Sequence, residues 1–410
     1  MATRSLLKSS KLSIYSLQCM KTISQCRTFT TKLTEQQQYI QELARNFSNE
    51  HLKPNAAKLD TDGLFPFDSF KKLTDLGLLG ACVDKENRGL GLDYLSLALA
   101  VEEISRGCAS TGMVLSIHNY LYVNLVNEKG TPEQREVFLK DFVQGSLGCF
   151  ALSEPGAGTD VAGIRTIATR EGNSWVLNGK KSWVTNAIEG KALAVFATID
   201  PELRHKGIAC FLVPMETEGV FRGKKERIMS VSVPLRAATA CTVTFEDARI
   251  PSSYMVGEPG EGFRIAMEQL DQGRIGIAAH AVGIAQAALD TAIGYAKERI
   301  AFGKPLTRLS SVKDRLTEMC MLVEMARLAT YRAATDVTTK NSAMAKYIAG
   351  RNATAVADHC VQILGGRGLS VNYDAERHYR DARGTQIYGG VTDIQKRLIG
   401  HYLLKEHDAL

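Results

Sequence analysis

Two glycine-rich segments have the residue types and spacing best suited to ligand chemistry. The first, FALSEPGAGTD at residues 150–160, ends an apolar run with a stiffening proline and two glycines. Such a loop can turn its backbone N–H groups towards the edge of a ring or a phosphate. A plain connection between a strand and a turn has a similar composition, so this segment alone leaves both interpretations open.

The second segment, YGGVTDIQ at residues 388–395, places a glycine pair directly before a helical pattern. Thr392 and Gln395 have the spacing of a capping box, which predicts the start of a helix. Free N–H groups at a helix start can bind an anion or a polarised carbonyl. A capped helix without any ligand is the alternative interpretation.

The apolar periodicity divides the chain into three regions that must position these segments. Apolar residues recur at helical spacing from about residue 35 to 145, alternate from about 148 to 250, and return to helical spacing from 262. The last region predicts long helices at 262–299, 310–334, 342–364 and 391–405. Gly365 and Gly366 are expected to end the third of these, because glycine tolerates the left-handed conformation at a helix end.

Within the alternating region, Asn178-Gly179 separates two short apolar runs at 174–177 and 182–185. This dipeptide is a strong signal for a two-residue turn, so the sequence predicts a β-hairpin that carries both tryptophans of the chain.

The charge distribution argues against a nucleic-acid-binding face. The chain has 50 Lys and Arg against 44 Asp and Glu, and the whole surplus lies in residues 1–34, which contain no acidic residue. The rest is formally neutral, whereas binding to phosphates needs clustered basic residues. No apolar run approaches the length of a membrane span, and no spacing of cysteine and histidine indicates a metal site. The scattered cysteines are typical of reduced thiols.

The first 32 residues have the composition of a mitochondrial presequence. They are basic, rich in serine and threonine, and lack a long apolar stretch. A disordered basic tail is the alternative interpretation. We therefore leave residues 1–32 out of the predicted fold.

Taken together and in this order, with WVT at 183–185 and RIAFG at 299–303 between them, the two glycine-rich segments resemble the acyl-CoA dehydrogenase family. Three further blocks carry the resemblance towards the short-chain and short/branched-chain mitochondrial members, namely VEEISRGCASTG at 101–112, LDQGRIGIA at 270–278 and ERHYRDAR at 376–383. The resemblance extends over nearly everything after the presequence. It implies an α+β fold with an N-terminal α-helical domain (33–147), a central β-barrel or sandwich domain (148–255) and a C-terminal four-helix bundle (256–410).

The resemblance implies a homotetrameric FAD enzyme of the mitochondrial matrix that oxidises a short or branched-chain acyl-CoA to a trans-2-enoyl-CoA and passes electrons to electron-transferring flavoprotein. Fatty acid β-oxidation and branched-chain amino acid catabolism are the processes it suggests. The FAD-contacting residues that it implies are Phe150, Leu152, Ser153, Thr159, Trp183, Val184, Thr185, Arg299, Phe302, Gln362, Gly365, Gly366, Thr392 and Asp393. Within that set, Arg299, Phe302 and the 362–366 segment would hold the adenine dinucleotide across a subunit boundary. The acyl-CoA contacts that it implies are Thr159, Asp271, Arg274 and Gly390.

One expected group is missing from the pattern. The reaction needs a general base beside the substrate α-carbon, and the family places a glutamate either at the position of Gly389 or, in a minority, at that of Gly273. Asp271, Asp393 and Glu268 are the nearest carboxylates in sequence, but Glu268 should point away from Gly273 on a helix. The alternative function is therefore a catalytically silent acyl-CoA-binding relative that acts as a sensor or scaffold.

Smaller departures from the family pattern fall around the implied flavin site. They are Ser310 in place of a flavin-contacting glutamine, Val391 in place of threonine, and Arg367-Gly368-Leu369 in place of Met-Gly-Tyr. The segment 228–235 also looks longer than in relatives.

Overall fold

The structure, a computed structural model, describes residues 32–226, 235 and 237–409. Nearly all of the predicted presequence and the long segment at 228–235, apart from Lys32 and Leu235, lie outside the described residues.

Helices form the first layer, as the periodicity predicts. They are α1 (Glu35–Phe47), α2 (Ala56–Asp62), α3 (Phe67–Asp75), α4 (Tyr94–Gly107), α5 (Ala109–Ile117), α6 (Asn124–Lys129), α7 (Pro132–Phe138) and α8 (Lys140–Val143). A π-helical turn, His118–Val123, joins α5 to α6. Asp93 caps α4 by accepting the N–H of Ser96, and α5 is buried along its whole length.

The central region forms a sheet. Its strands are β1 (Gly148–Ala151), β2 (Ile167–Glu171), β3 (Ser174–Thr185), β4 (Ala192–Thr198), β5 (Ile208–Pro214), β6 (Val220–Lys225), β7 (Ala240–Pro251) and β8 (Met255–Val256). The order is β6-β7-β3-β2-β4-β5-β8, and β1 pairs in parallel with β4. Strand β4 is buried on both faces, because Phe196 packs into one apolar cluster and Val195 into the other.

The predicted hairpin at Asn178-Gly179 is wrong. Both residues lie inside β3, which runs unbroken for 12 residues and pairs with β7 on either side of a register shift at that point. A Cβ on Gly179 would lie 2.7 Å from Cα of Thr166, so the glycine serves the close approach of two backbones rather than a turn.

The C-terminal region is helical, with α9 (Gly262–Glu298), α10 (Ser310–Thr335), α11 (Thr339–Leu364), α12 (Asp374–Gly384) and α13 (Thr392–Glu406). A short ribbon of β9 (Ile300–Ala301) and β10 (Lys304–Pro305) follows α9. Helix α11 ends at Leu364, as predicted, but Gly365 has a φ of 61° and a ψ of −137°, which is not the left-handed conformation expected there. The structure confirms the predicted mixed fold with a helical C-terminal region.

Helix α9 is the central element of this region. By length and composition it is apolar enough to cross a membrane, but 83% of its most apolar window is buried by the protein itself. It packs against α4, α10, α11 and α12, which explains why alanine and glycine line its sides.

Candidate active site

A buried ion pair holds the loop that follows β1. The Lys181 ammonium on β3 donates to Glu154 Oε1 at 2.6 Å and to the carbonyl of Leu152 at 3.1 Å. Glu154 also accepts the backbone N–H groups of Arg165 and Thr166, at 2.7 and 2.9 Å. Burial lowers the pKa of Lys181 to about 8, although Glu154 counteracts this effect. The pair therefore holds both ends of the loop in one conformation.

Strand β3 presents Trp183 beside this loop. Its ring is 60% exposed and its backbone has a φ of 59°, whereas Trp175 on the same strand is buried. The N–H of Ser182 donates to the carbonyl of Ser153 at 2.8 Å, which joins the strand to the loop. Val184 is buried behind Trp183. An exposed aromatic face beside a loop with open space at Gly156 and Gly158 is suited to a planar ring.

The remaining loop residues differ in exposure. Phe150 packs against Phe196 with ring centroids 4.9 Å apart, Leu152 is buried, and Thr159 is exposed. A cavity of about 610 Å³ opens beside the loop. Its lining includes three basic residues that the sequence analysis did not single out, Arg165, Lys180 and Arg204. They come from separate segments, so only the fold brings them together.

The turn at residues 388–390 is built from two glycines in the left-handed region. Gly389 has a φ of 66° and Gly390 a φ of 90°. The carbonyl of Gly390 accepts the Lys346 ammonium and, at 2.9 Å, Gln395 Nε2. The N–H of Gly389 donates to no atom in the described part of the chain. The turn therefore offers a free donor with a fixed direction.

The predicted capping box at the start of α13 is wrong. The helix begins at Thr392 with Val391 as its cap residue, and no side chain caps it. Thr392 Oγ1 donates to the carbonyl of Gln386 at 3.2 Å, and Gln395 Nε2 donates to the carbonyl of Gly390. Asp393 is exposed. The two polar residues thus shape the preceding turn rather than the helix end.

A buried hydrogen-bond chain supports the same turn from behind. Tyr388 Oη lies 3.1 Å from His280 Nε2, and His280 Nδ1 lies 2.9 Å from Ser105 Oγ. Burial lowers the pKa of His280 to about 3, so the imidazole is neutral at physiological pH. These three hydrogen-bonded side chains, all uncharged, link α9, α4 and the turn.

Helix α9, which contains the predicted substrate residues Asp271 and Arg274, passes close to this turn. Asp271 and Arg274 form an ion pair, and Thr339 Oγ1 donates to Asp271 Oδ2 at 2.6 Å. Burial raises the pKa of Asp271, and the Thr339 hydrogen bond and Arg274 oppose this effect. Burial lowers the pKa of Arg274, and Asp271 opposes that effect. One turn further on, Ile277 Cγ1 lies 3.0 Å from the point where Gly389 would carry a Cβ. The structure therefore brings α9 and the 388–390 turn into contact.

The two carboxylates closest in sequence to Gly273 are engaged elsewhere, whereas Asp393, the closest to Gly389, is exposed at the start of α13. Glu268 pairs with Lys129 and Arg264, each at 2.8 Å. Asp271 is committed to Arg274 and Thr339. Gly273 lies against Leu121, whose Cδ2 is 2.6 Å from the position of a Cβ. Among the described residues, no cluster of His, Cys, Asp and Glu is suited to a metal ion.

A second group of predicted cofactor residues lies at the far end of α9. Phe302 is 89% exposed with a φ of 51°, and Arg299, Gln362, Gly365 and Gly366 are exposed as well. Ile277, which contacts the 388–390 turn, and Arg299 are separated by about 33 Å along a helix that rises 1.5 Å per residue. One chain therefore does not bring this group to the 388–390 turn.

Sequence reasoning missed three buried polar residues that hold the site, namely Lys181, His280 and Lys346. Each occupies an inward position of its strand or helix. The sequence did contain a signal for them, because each is a polar residue at a position where the strand or helix pattern expects an apolar one. Such residues are buried only when they have partners.

Models of three domains match the chain in sequence order. They are described as the acyl-CoA dehydrogenase N-terminal domain (residues 34–146), middle domain (149–248) and C-terminal domain (260–404). The short-chain specific acyl-CoA dehydrogenase of rat mitochondria is 47% identical over 384 residues, which is 92% of each chain.

Solved structures agree in fold. Butyryl-CoA dehydrogenase from Megasphaera elsdenii has a TM-score of 0.89 and 38% identity, and the match covers 92% of this chain and 100% of that one. A structure described as the electron transferring flavoprotein of Acidaminococcus fermentans has a TM-score of 0.89 and 36% identity, with the same coverage.

Proposed function

The chain belongs to the acyl-CoA dehydrogenase family and is of its short-chain type, and from that premise we propose that it binds FAD and a short or branched-chain acyl-CoA in the mitochondrial matrix. When bound, FAD supplies the acceptor for the hydride that leaves the substrate β-carbon. Electrons then pass to electron-transferring flavoprotein, consistent with the description of one similar structure.

The residues of the site fit this cofactor. The exposed ring of Trp183, the open space at Gly156 and Gly158, and the loop held by Glu154 and Lys181 form a rigid surface for a planar ring. Thr185, Thr392 and Asp393 are the other residues that we assign to this end of the flavin. Ser310 is too short to replace the amide of a glutamine, so we expect weaker retention of FAD than in relatives.

The N–H of Gly389 is the observation that carries the substrate proposal. It is free to donate to a thioester carbonyl, and the bonds that Lys346 and Gln395 donate to the carbonyl of Gly390 hold the turn in place. A donor of this kind stabilises the negative charge that develops on the oxygen when the α-proton leaves. Asp271 and Arg274 on α9, with Thr159 on the loop, complete the set that we assign to acyl-CoA.

The missing base limits the proposed activity. Gly389 and Gly273 provide no carboxylate, and loss of a general base typically costs roughly 100-fold to 10,000-fold in rate. We therefore propose a slow dehydrogenase. The same observation favours a second candidate, a catalytically silent protein that binds acyl-CoA as a sensor or scaffold.

Self-assembly is part of the proposal. Three apolar side chains spaced four and three residues apart on α10 are exposed in the single chain, namely Met321, Met325 and Leu328. Such a stripe is typical of a surface that another subunit covers. It supports the homotetramer that the family resemblance implies, with Arg299, Phe302 and the 362–366 segment acting across a subunit boundary.

The visible spectrum of the purified protein tests both candidates. We expect a yellow protein whose flavin absorbance bleaches slowly when butyryl-CoA is added without oxygen. A yellow protein whose flavin spectrum shifts on addition of butyryl-CoA but does not bleach would support the silent binder. A colourless protein that takes up no added FAD would contradict the cofactor proposal. Bound flavin should also quench the fluorescence of Trp183, and Trp183→Phe, which lacks that emission, is the control for this second measurement.

A further inference from the structure

The cavity beside the loop at residues 154–160 is built for a polar ligand. Its volume of about 610 Å³ lies within the usual range of small-molecule sites. Pro155 is the only apolar side chain in its lining, which otherwise consists of glycine, polar and charged residues. Trp183 does not line it, so the cavity is separate from the surface that we assign to the flavin ring. An acyl chain or a bare aromatic ring would find little to pack against here.

Two carboxylates line the cavity, and both already have a basic partner. Glu154 lies 2.6 Å from the buried Lys181 ammonium. Asp160 pairs at 3.2 Å with Arg204, which belongs to the turn at Pro201–Gly207, and both side chains of this second pair are exposed. Because an exposed pair contributes little stability, Arg204 can exchange Asp160 for an anionic ligand at low cost.

The other two basic side chains of the lining, Arg165 and Lys180, supply positive charge without compensation. Both are exposed and form no hydrogen bond or ion pair through their side chains in the described part of the chain. The backbone of Arg165 is nevertheless fixed, since its N–H donates to Glu154 at 2.7 Å. Positive charge is therefore concentrated at this cavity, although the body of the protein is formally neutral.

A backbone donor adds to these side chains. The N–H of Gly156 lines the same cavity and donates to no atom that the structure describes, and nothing lies within 4 Å of the point where this glycine would carry a Cβ. Guanidinium, ammonium and free backbone N–H groups are the donors that proteins use to bind phosphate.

We propose that this cavity binds the phosphate groups of a nucleotide. Acyl-CoA and FAD both carry such groups. Thr159 lies on the loop between the lining residues Gly156 and Asp160, and it is one of the residues that we assign to acyl-CoA. The nucleotide end of CoA is therefore the source that we expect, and this choice of source rests on the proposed function.

The test removes the uncompensated charge with the double variant Arg165→Gln, Lys180→Gln and measures affinities of the FAD-loaded protein by calorimetry without oxygen. We expect binding of butyryl-CoA to weaken at least about tenfold, which is the usual effect of losing a charge-assisted hydrogen bond. Binding of butyryl-pantetheine, which carries no phosphate, should not change. Butyryl-dephospho-CoA, which lacks the 3′-phosphate, should show a smaller loss if that phosphate occupies the cavity.

The double variant Arg170→Gln, Lys206→Gln is the matched control. It removes the same charge from exposed positions of β2 and of the Pro201–Gly207 turn, and neither residue lines the cavity. Its affinity for butyryl-CoA should equal that of the wild-type protein. An equal loss in both double variants would show a general effect of net charge and would overturn the site.

Retention of FAD, measured by the fluorescence of flavin released on dilution, distinguishes the two sources. Weaker retention in the Arg165, Lys180 variant with unchanged butyryl-CoA affinity would support the phosphate site with FAD as its source. Unchanged affinity for both ligands would overturn the site and leave the proposed function standing.

A wild-type protein that binds neither FAD nor butyryl-CoA would contradict the proposed function. Adenosine 3′,5′-bisphosphate, the nucleotide end of CoA, then tests the cavity alone. Binding that the Arg165, Lys180 variant loses would leave the phosphate site standing, and no binding would overturn both.

Discussion

At the scale of single residues, the two glycines where a base is expected differ in their surroundings. A side chain on Gly389 would meet only the Ile277 side chain, whose Cγ1 lies at 3.0 Å, although the φ of 66° disfavours any residue with a Cβ. A side chain on Gly273 would meet Leu121 at 2.6 Å inside a packed helix interface. Position 389 therefore accepts a carboxylate more readily.

We expect Gly389→Glu to raise turnover of butyryl-CoA well above that of the wild-type protein. The carboxylate restores a base beside the α-carbon, while the left-handed backbone costs roughly 1–2 kcal/mol of stability. Steady-state assays and urea unfolding measure the two effects. Gly389→Gln has the same shape without a base and should give the stability loss alone, and equal activities for the two variants would refute the role of the carboxylate.

Lys346 should make stability depend on pH. Burial, helped by the nearby Arg274, lowers its pKa to about 7, whereas an unfolded lysine keeps its proton to about pH 10.4. Above pH 7 the unfolded chain therefore binds more protons, and the free energy of unfolding rises with pH.

Comparison with Lys346→Met isolates this contribution. Between pH 7.5 and 8.5 we expect the wild-type protein to gain about 1 kcal/mol of unfolding free energy relative to the variant, and almost nothing between pH 5 and 6. Urea unfolding at these four pH values measures the difference. A difference that stays constant throughout would show that Lys346 does not titrate in this range.

At the scale of elements, long periodic segments are predictable and short turns are not. The helix predicted at 262–299 is found at Gly262–Glu298, because many buried positions define its period. Asn178-Gly179 has turn chemistry in sequence, but its glycine is required by the approach of Thr166, which is a contact between strands distant along the chain. The capping box predicted from the spacing of Thr392 and Gln395 is absent for the same reason, since their partners lie in the preceding turn.

The site shows the same division. Trp183, Asp271 and Arg274 could be assigned by resemblance, because each lies within a recognisable block. The partners that fix them, such as Glu154 under the loop and Thr339 beside Asp271, depend on packing between segments and had no local signal.

The ion pair beneath the loop should be essential for retention of FAD. Removing one partner of a buried pair typically costs about 3–5 kcal/mol, because the other charge is left without compensation. We expect Lys181→Met to release FAD on gel filtration and to unfold at lower urea concentration. Glu154→Gln combined with Lys181→Met should recover part of the stability, and a double variant no more stable than Lys181→Met would contradict this account.

At the scale of the whole molecule, the basic N-terminus is separate in character from the formally neutral body. We expect residues 1–40 fused to a fluorescent reporter to direct it to mitochondria, because the segment has a presequence composition. Replacement of Arg4, Lys8 and Lys11 by glutamate should abolish import, and a reporter that stays cytosolic with the native segment would exclude the predicted location.

Helix α9 carries the substrate residues near one end and Arg299 at the other, about 42 Å away. In the tetramer that we propose, where Arg299 acts across a subunit boundary, each flavin would contact the near end of one chain and the far end of another. This has a genetic consequence. Two alleles that each damage a different end should complement one another in a mixed assembly, because some pairings unite the two intact ends. Two alleles that damage the same end should not.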